Sequence, residues 1–285
     1  MQIHIIAVPY DTARRGWRMG AGPAHLLSNG LGDRLRAHGH DVTSVIVAPG
    51  DAPPAEIATA FSLMAGVADE VRAARSNGAF PLVLSGNCNT ACGTLAGLTP
   101  HERAVFWFDA HGDANTPETT TTGFLDGTGL AAAMGWCWNG MTRRIPGFAP
   151  VDERGVVLLG ARDLDPDEAA LLDRASVRRI SCRDIADTFD RTLPKMPAKA
   201  VAYLHCDLDV LDPIEGQANP FPTPDGLTVA SLEQAIARIG ATIPIAAAAV
   251  TAYAPEYDGD GRICRAAFRV VDAIVAAVRT TSREP

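Results

Sequence analysis

Eight short apolar runs alternate with stretches of helical spacing along this chain, and that alternation limits the fold more than any other feature. The runs cover residues 3–8, 42–47, 80–85, 104–108, 156–160, 177–180, 201–206 and 243–250. Each has strand length and is unbroken rather than alternating, the pattern of strands buried on both faces. Helix candidates lie between them at 21–37, 54–75, 90–98, 127–135, 166–174, 229–240 and 262–279. The second of these stops before Ser76-Asn77-Gly78, a helix-ending signal. Repeated βα units predict an α/β chain with a parallel sheet covered on both sides. No internal repeat or linker interrupts the pattern, so one domain over residues 1–285 is expected.

The apolar fraction of 47% is enough for a large core in a chain of 285 residues. The evenly spread charged residues argue against disorder. A net charge of −8 and the lack of a Lys/Arg stripe weigh against nucleic acid and fit a small-molecule partner. No apolar run approaches the roughly 18 residues of a membrane span. Residues 1–8 meet Pro9 with no basic leader or small-residue cleavage site, and read as a first strand rather than a signal peptide. Cys88, Cys92, Cys137, Cys182, Cys206 and Cys264 follow no disulfide framework, so a reducing, cytoplasmic setting is expected.

In parallel α/β sheets the chemistry gathers at the carboxyl ends of strands. Three strand ends here carry unusual residues: Ser85-Gly86-Asn87-Cys88-Asn89, Asp109-Ala110-His111-Gly112-Asp113 and His205-Cys206-Asp207-Leu208-Asp209. Side chains two apart on extended chain point the same way, so each motif aims its ligands into one space. Carboxylates brought together without a cation repel one another and resist desolvation. Two divalent cations resolve that conflict, and carboxylates with an imidazole suit Mn²⁺-like ions. Such a pair lowers the pKa of a shared water towards neutrality and stabilises an oxyanion. A lone aspartate at a strand end is usually a cap or a turn residue. Two alternating acidic motifs, each after a buried strand, are not explained that way.

With these motifs the chain resembles the arginase/agmatinase ureohydrolase family. The resemblance rests on Asp109-Ala110-His111-Gly112-Asp113-Ala114-Asn115-Thr116-Pro117, the threonine run at 119–123, and Asp207-Leu208-Asp209-Val210-Leu211-Asp212-Pro213. Weaker matches are Gly20-x-Gly22-Pro23, Gly160-Ala161-Arg162-Asp163-Leu164-Asp165 and Pro224-Asp225-Gly226-Leu227-Thr228. The resemblance implies a three-layer α/β sandwich around an eight-stranded parallel sheet. It implies that Asp109 and Asp207 bridge two metal ions, that Asp113 completes one shell, and that His111 and Asp209 complete the other. Asn115, Thr120 and Thr122 would then hold the α-carboxylate of an amino-acid substrate and Asp165 its α-ammonium, which matches donors to an anion and a carboxylate to a cation. Taken alone, the threonine run reads as a turn held by its own hydroxyls. A homo-oligomer is compatible with the family, but no sequence feature fixes one.

Three positions depart from the family pattern. The usual Gly-Gly-Asp-His-Ser loop reads Ser85-Gly86-Asn87-Cys88-Asn89, with Gly93 and Gly97 setting the register, so Cys88 stands at a histidine ligand. Cys88 is either a thiolate ligand, which makes Mn²⁺ less assured, or a small buried residue that leaves the metal short of a donor. Asp126 stands at the usual histidine proton shuttle and serves either as a shuttle or as an anchor for a cationic substrate. His205, on the strand face of Asp207, is a second proton-shuttle candidate or else a satisfied core histidine. Ala252 stands where the guanidinium-binding glutamate is expected, with Glu256 nearby in the following loop.

The retained ligands and the altered reacting end point to a binuclear-metal hydrolase of a guanidino-type amino acid. Cys88 and Asp126 together resemble hydrolases that convert N-hydroxy-L-arginine to hydroxyurea and ornithine. Other guanidino or formimino substrates, as for arginase, agmatinase or formiminoglutamase, stay open. So does a non-catalytic family member that binds a ligand or partner, the reading that the three departures favour.

Overall fold

A computed structural model of the chain describes residues 1–51, 55–99, 102–187, 189 and 199–278. All eight expected strands form: β1 (Gln2–Val8), β4 (Asp41–Ile46), β5 (Phe80–Ser85), β6 (Arg103–Phe108), β7 (Val156–Leu159), β8 (Arg178–Ile180), β9 (Val201–Asp207) and β10 (Ile245–Thr251). A two-residue antiparallel pair, β2 (Tyr10–Asp11) and β3 (Arg14–Arg15), makes a separate ribbon. The eight strands lie in the order β4-β1-β5-β10-β9-β6-β7-β8, and every pair is parallel.

Alternate residues of each strand serve opposite layers, as a period of two requires. One face buries Ile3, Ile5, Leu82, Leu84, Phe106 and Phe108 together with apolar residues of helices Gly22–Ser28, Leu31–Ala37, Val229–Thr242 and Arg262–Ala277. The other face buries Ile6, Val8, Val83, Val105, Trp107 and Tyr203 with helices Glu56–Ser76, Ala91–Gly97 and Gly129–Ala133. The result is a three-layer sandwich. Gly93 lets two of these helices touch, since a Cβ there would stand 2.2 Å from the Met64 carbonyl oxygen.

Two expectations need correction. Double-sided burial holds for the central strands, but the edge strands β4 and β8 keep exposed positions. Exposed Asp41, Arg178 and Arg179 lie on those edges, where charge discourages pairing with another chain. The helix expected over 21–37 breaks at Asn29-Gly30, because Gly30 takes a left-handed φ of 93°. The short helices Asn139–Thr142 and Cys182–Asp187 were not foreseen, being too brief to show a period. The expected ends at residues 54 and 279 lie outside the described residues.

Register decides where the site lies. Thr251 pairs with Ser85 on one side and Asp207 on the other, and Phe108 pairs with Cys206. The carboxyl ends of β5, β10, β9 and β6 are therefore level, and all three unusual strand ends open onto the same space.

Candidate metal centre and substrate cavity

Asp109 directly follows β6, and its backbone N–H extends the ladder to the Leu159 carbonyl at 3.1 Å. Its carboxylate accepts from the Trp107 indole at 2.9 Å and from the His111 backbone at 2.7 Å, so its rotamer is held from two sides. Asp207, the last residue of β9, accepts from the Asp209 backbone at 2.8 Å. Asp209 accepts from the Ala110 backbone at 3.1 Å and the Asn219 amide at 3.0 Å. The His111 ring lies 3.4 Å from Asp109 and 3.3 Å from Asp209. Asp113 has a left-handed φ of 48°, and its carbonyl accepts from Leu130 and Ala131 at the start of helix Gly129–Ala133. Between His111 and Asp113, Gly112 leaves room for Glu168, because a Cβ there would lie 2.5 Å from a Glu168 carboxylate oxygen.

Cys88 begins a short turn after β5, and its Sγ lies 3.0 Å from Asp207 Oδ2 and 3.2 Å from Thr251 Oγ1. Among the described residues two donor clusters emerge, each with its ligand atoms within 4.8 Å of one another: Asp109 with His111 and Asp209, and Asp109 with Cys88 and His205. Asp109 belongs to both.

A cavity of about 220 Å³ opens above these groups. Of the sequence candidates, Cys88, His111, Asp113, Asn115, Thr120, Thr122, Asp126, Asp165, Asp207 and Asp209 line it, and so does Ala252. Asp109 lies below, almost fully buried. His205 does not line the cavity. It is fully buried, stacked on Trp107 with ring centroids 3.7 Å apart, with Nδ1 2.9 Å from the Tyr203 hydroxyl. A group so enclosed is poorly placed to shuttle protons to a substrate. Glu256 is exposed and lies outside the lining, so it does not replace the missing glutamate.

The threonine run combines both readings offered by the sequence. Thr120 and Thr122 line the cavity, yet their hydroxyls accept from the backbones of Gly123 and Phe124 in their own turn. Asn115 donates to Asp165 at 3.1 Å, and Asp165 caps helix Pro166–Arg174 in a reciprocal capping box with Glu168. Glu168 was missed as a lining residue, although Asp165-Pro166-Asp167-Glu168 carries the capping-box spacing. Asn219 and Phe221 were also missed, and no local signal marks them; Asp163 lies in the Gly160-to-Asp165 motif but was not singled out. Arg162 of the glycine-alanine-arginine motif binds the carbonyls of Asp209 and Thr223, tying two site loops together.

The electrostatics call for cations. Burial, with neighbouring carboxylates adding to it, pushes Asp113 and Asp207 well above the usual carboxylate range and raises Asp109 as well. Burial and Asp207 likewise drive the Cys88 thiol up. Burial would also raise Asp209, but the adjoining His111 outweighs it and holds Asp209 at about 2. His111 is driven to about 12, its own burial outweighed by Asp209 and Asp109. Burial lifts Asp126 to about 7 despite hydrogen bonds from Asn89, Cys88 and Asn87. One oxygen of Asp113, Oδ2, is buried with no partner, a costly state that a cation relieves. This donor set of carboxylates, imidazole and thiol fits divalent ions.

The chain matches the family model described as the Arginase family over residues 1–276. It is 31% identical to the arginase of Bacillus caldovelox over 256 residues, covering 79% of this chain and 82% of that protein. It is 32% identical to the arginase of Bacillus subtilis over 247 residues, covering 79% and 81%. The crystal structure of arginase from Bacillus cereus superposes with a TM-score of 0.87 at 26% identity, covering 96% of this chain and 98% of that one. No helix among the described residues is long and apolar enough to cross a membrane. Sheet order, converging acidic motifs and these likenesses make the chain a member of the arginase family, binuclear-metal hydrolases of non-peptide C–N bonds in linear amidines.

Proposed function

We propose that this protein hydrolyses N-hydroxy-L-arginine to hydroxyurea and ornithine. The observation that carries this reading is Ala252 in the cavity lining, at the position where a guanidinium-binding glutamate is expected. A methyl group leaves both space and less negative charge at the reacting end. A hydroxyguanidine is less basic than a guanidine and depends less on a charged anchor. Elsewhere the cavity stays acidic, with Asp113, Asp126, Asp163, Asp165, Glu168, Asp207 and Asp209 along it, which suits a substrate with a cationic end.

In this reading Cys88, Asp109, Asp113 and Asp207 would hold one divalent ion, and Asp109, His111, Asp207 and Asp209 would hold the other, with Mn²⁺ as the family-like choice. When bound, the pair supplies a nucleophilic water at neutral pH and positive charge for the developing oxyanion. Asn115, Thr120 and Thr122 donate to the α-carboxylate, and Asp165 accepts from the α-ammonium. Asp126, with a carboxyl lifted to about 7 and held by Asn87 and the Asn89 backbone, carries a proton for the departing ornithine amine. Turnover of purified protein with arginine, agmatine and N-hydroxyarginine tests the proposal. Faster release of hydroxyurea than of urea is expected; arginine turned over at least as fast as the hydroxy form sinks it.

A further inference from the structure

His205 has no role in the chemistry above, yet its surroundings are those of a ligand. Its Nδ1 faces the Tyr203 hydroxyl at 2.9 Å, and its other ring nitrogen, Nε2, faces Thr251 Oγ1 at 3.3 Å. That hydroxyl is also 3.2 Å from Cys88 Sγ. A ring nitrogen of His205, Cys88 Sγ and an Asp109 oxygen all lie within 4.8 Å of one another, and all three residues are buried. Stacking on Trp107 fixes the ring plane.

We propose that His205 Nε2 is a direct ligand of the ion on the Cys88 side, which makes that position a thiolate–imidazole–carboxylate site for a zinc-like ion. The inference rests on the two-ion reading of the site and refines it. Three observations carry it. A ligating histidine needs a partner on its second nitrogen to fix the tautomer, and Tyr203 supplies one. The Nε2–Oγ1 contact at 3.3 Å is long, so this nitrogen is not committed to a strong hydrogen bond. Thr251 also has an alternative acceptor in the Cys206 carbonyl at 3.5 Å when an ion takes Nε2. The consequence is an asymmetric pair. The Cys88 thiolate and the His205 imidazole, added to carboxylates, favour Zn²⁺ or Co²⁺ over Mn²⁺ on this side, whereas the His111 side offers carboxylates and an imidazole with no sulfur.

The test begins with the intact protein, stripped of metal and reloaded from equimolar Mn²⁺ and Zn²⁺. About one ion of each per chain is expected; two Mn²⁺ overturns the asymmetry and with it the proposal. Pulsed electron resonance on the cobalt-loaded protein with ¹⁵N-labelled histidine should detect two histidine nitrogens bound to metal, from His111 and His205. A single coupled nitrogen overturns it without any variant being made. Zinc titration of His205→Gln and of His205→Phe, the latter keeping the stack on Trp107, should show roughly 10–100-fold weaker binding of one ion. The second ion should be little changed. Two zinc ions bound with unaltered affinity by a folded variant refute the histidine as ligand but leave the two-ion reading standing. Failure of the wild-type chain to bind two ions of any kind refutes both.

Discussion

Asp109 belongs to two donor clusters whose surroundings differ. On the first side, His111 is about a third exposed to the cavity and sits between two carboxylates, with Asp209 tied down by Asn219 and the Ala110 backbone. On the second side, Cys88 is buried in the cavity lining and His205 is buried beneath it, packed against Thr251, Tyr203 and Trp107. The first side is oxygen-rich and accessible, and it matches the family pattern. The second is softer and enclosed, and it carries the departure. Next to it stands Ala252, with a left-handed φ of 58° and its carbonyl accepting from Asn219. The sequence changes are therefore clustered around one half of the site. In the proposed reading, Cys88 as a ligand and Ala252 at the substrate anchor change together, in keeping with a different reacting end on the substrate.

The largest effect is expected from the residue that the two sides share. Asp109→Ala should remove a donor from both ions and lower turnover by at least about 10³-fold, with metal analysis showing loss at both positions. Loss of a single ion would break the assignment of Asp109 to both clusters. Ala252→Glu should return the second side towards arginine. A restored charge-assisted contact of about 1.5–3 kcal/mol should shift the arginine-to-hydroxyarginine ratio of kcat/KM by roughly 10–100-fold. An unchanged ratio would mean that position 252 does not meet the reacting end.

Cys88→Ser should weaken one ion more than the other, by about 10-fold or more, in calorimetric titration. Equal loss at both positions, or none, means that Cys88 is not a ligand. The linkage has a definite sign. Cys88 is raised, so it holds its proton at neutral pH and releases it when an ion binds. Ion affinity in the wild type should therefore rise with pH, and Cys88→Ser should release about one proton fewer. The smallest effect is expected at Asp126. Its folded pKa of about 7 lies above its ordinary value, so its contribution to stability is fully present in acid and is lost as pH rises through about 7. Asp126→Asn removes that dependence. Thermal melts of the variant and wild type should diverge in the variant's favour from pH 4 to pH 7, by on the order of 1–3 kcal/mol, and run parallel above. Parallel curves throughout would show that Asp126 is ionised across that range.

Much of this was legible in the chain because the signals are local. A buried strand followed by Asp-x-His-x-Asp or Asp-x-Asp needs only a period of two to aim its ligands. The Asp165-to-Glu168 capping box is equally local and was available to be read. Asn219 and Phe221 were not, since the loop that carries them is irregular and its path depends on distant contacts such as Arg162 with Thr223. His205 was legible as a candidate but not as a location.

From the sequence alone came the eight strands, the α/β class, the acidic motifs at three strand ends and the departures at Cys88, Asp126 and Ala252. These follow from periodicity, burial propensity and residue chemistry, which act over a few neighbours. Only the tertiary structure decided that β10 lies between β5 and β9, which sets Thr251 level with Ser85 and Asp207. That strand order brings Thr251 against both Cys88 and His205, and sets Ala252 in the cavity lining. Strand order and register come from the packing of residues far apart in the chain, so no local pattern records them.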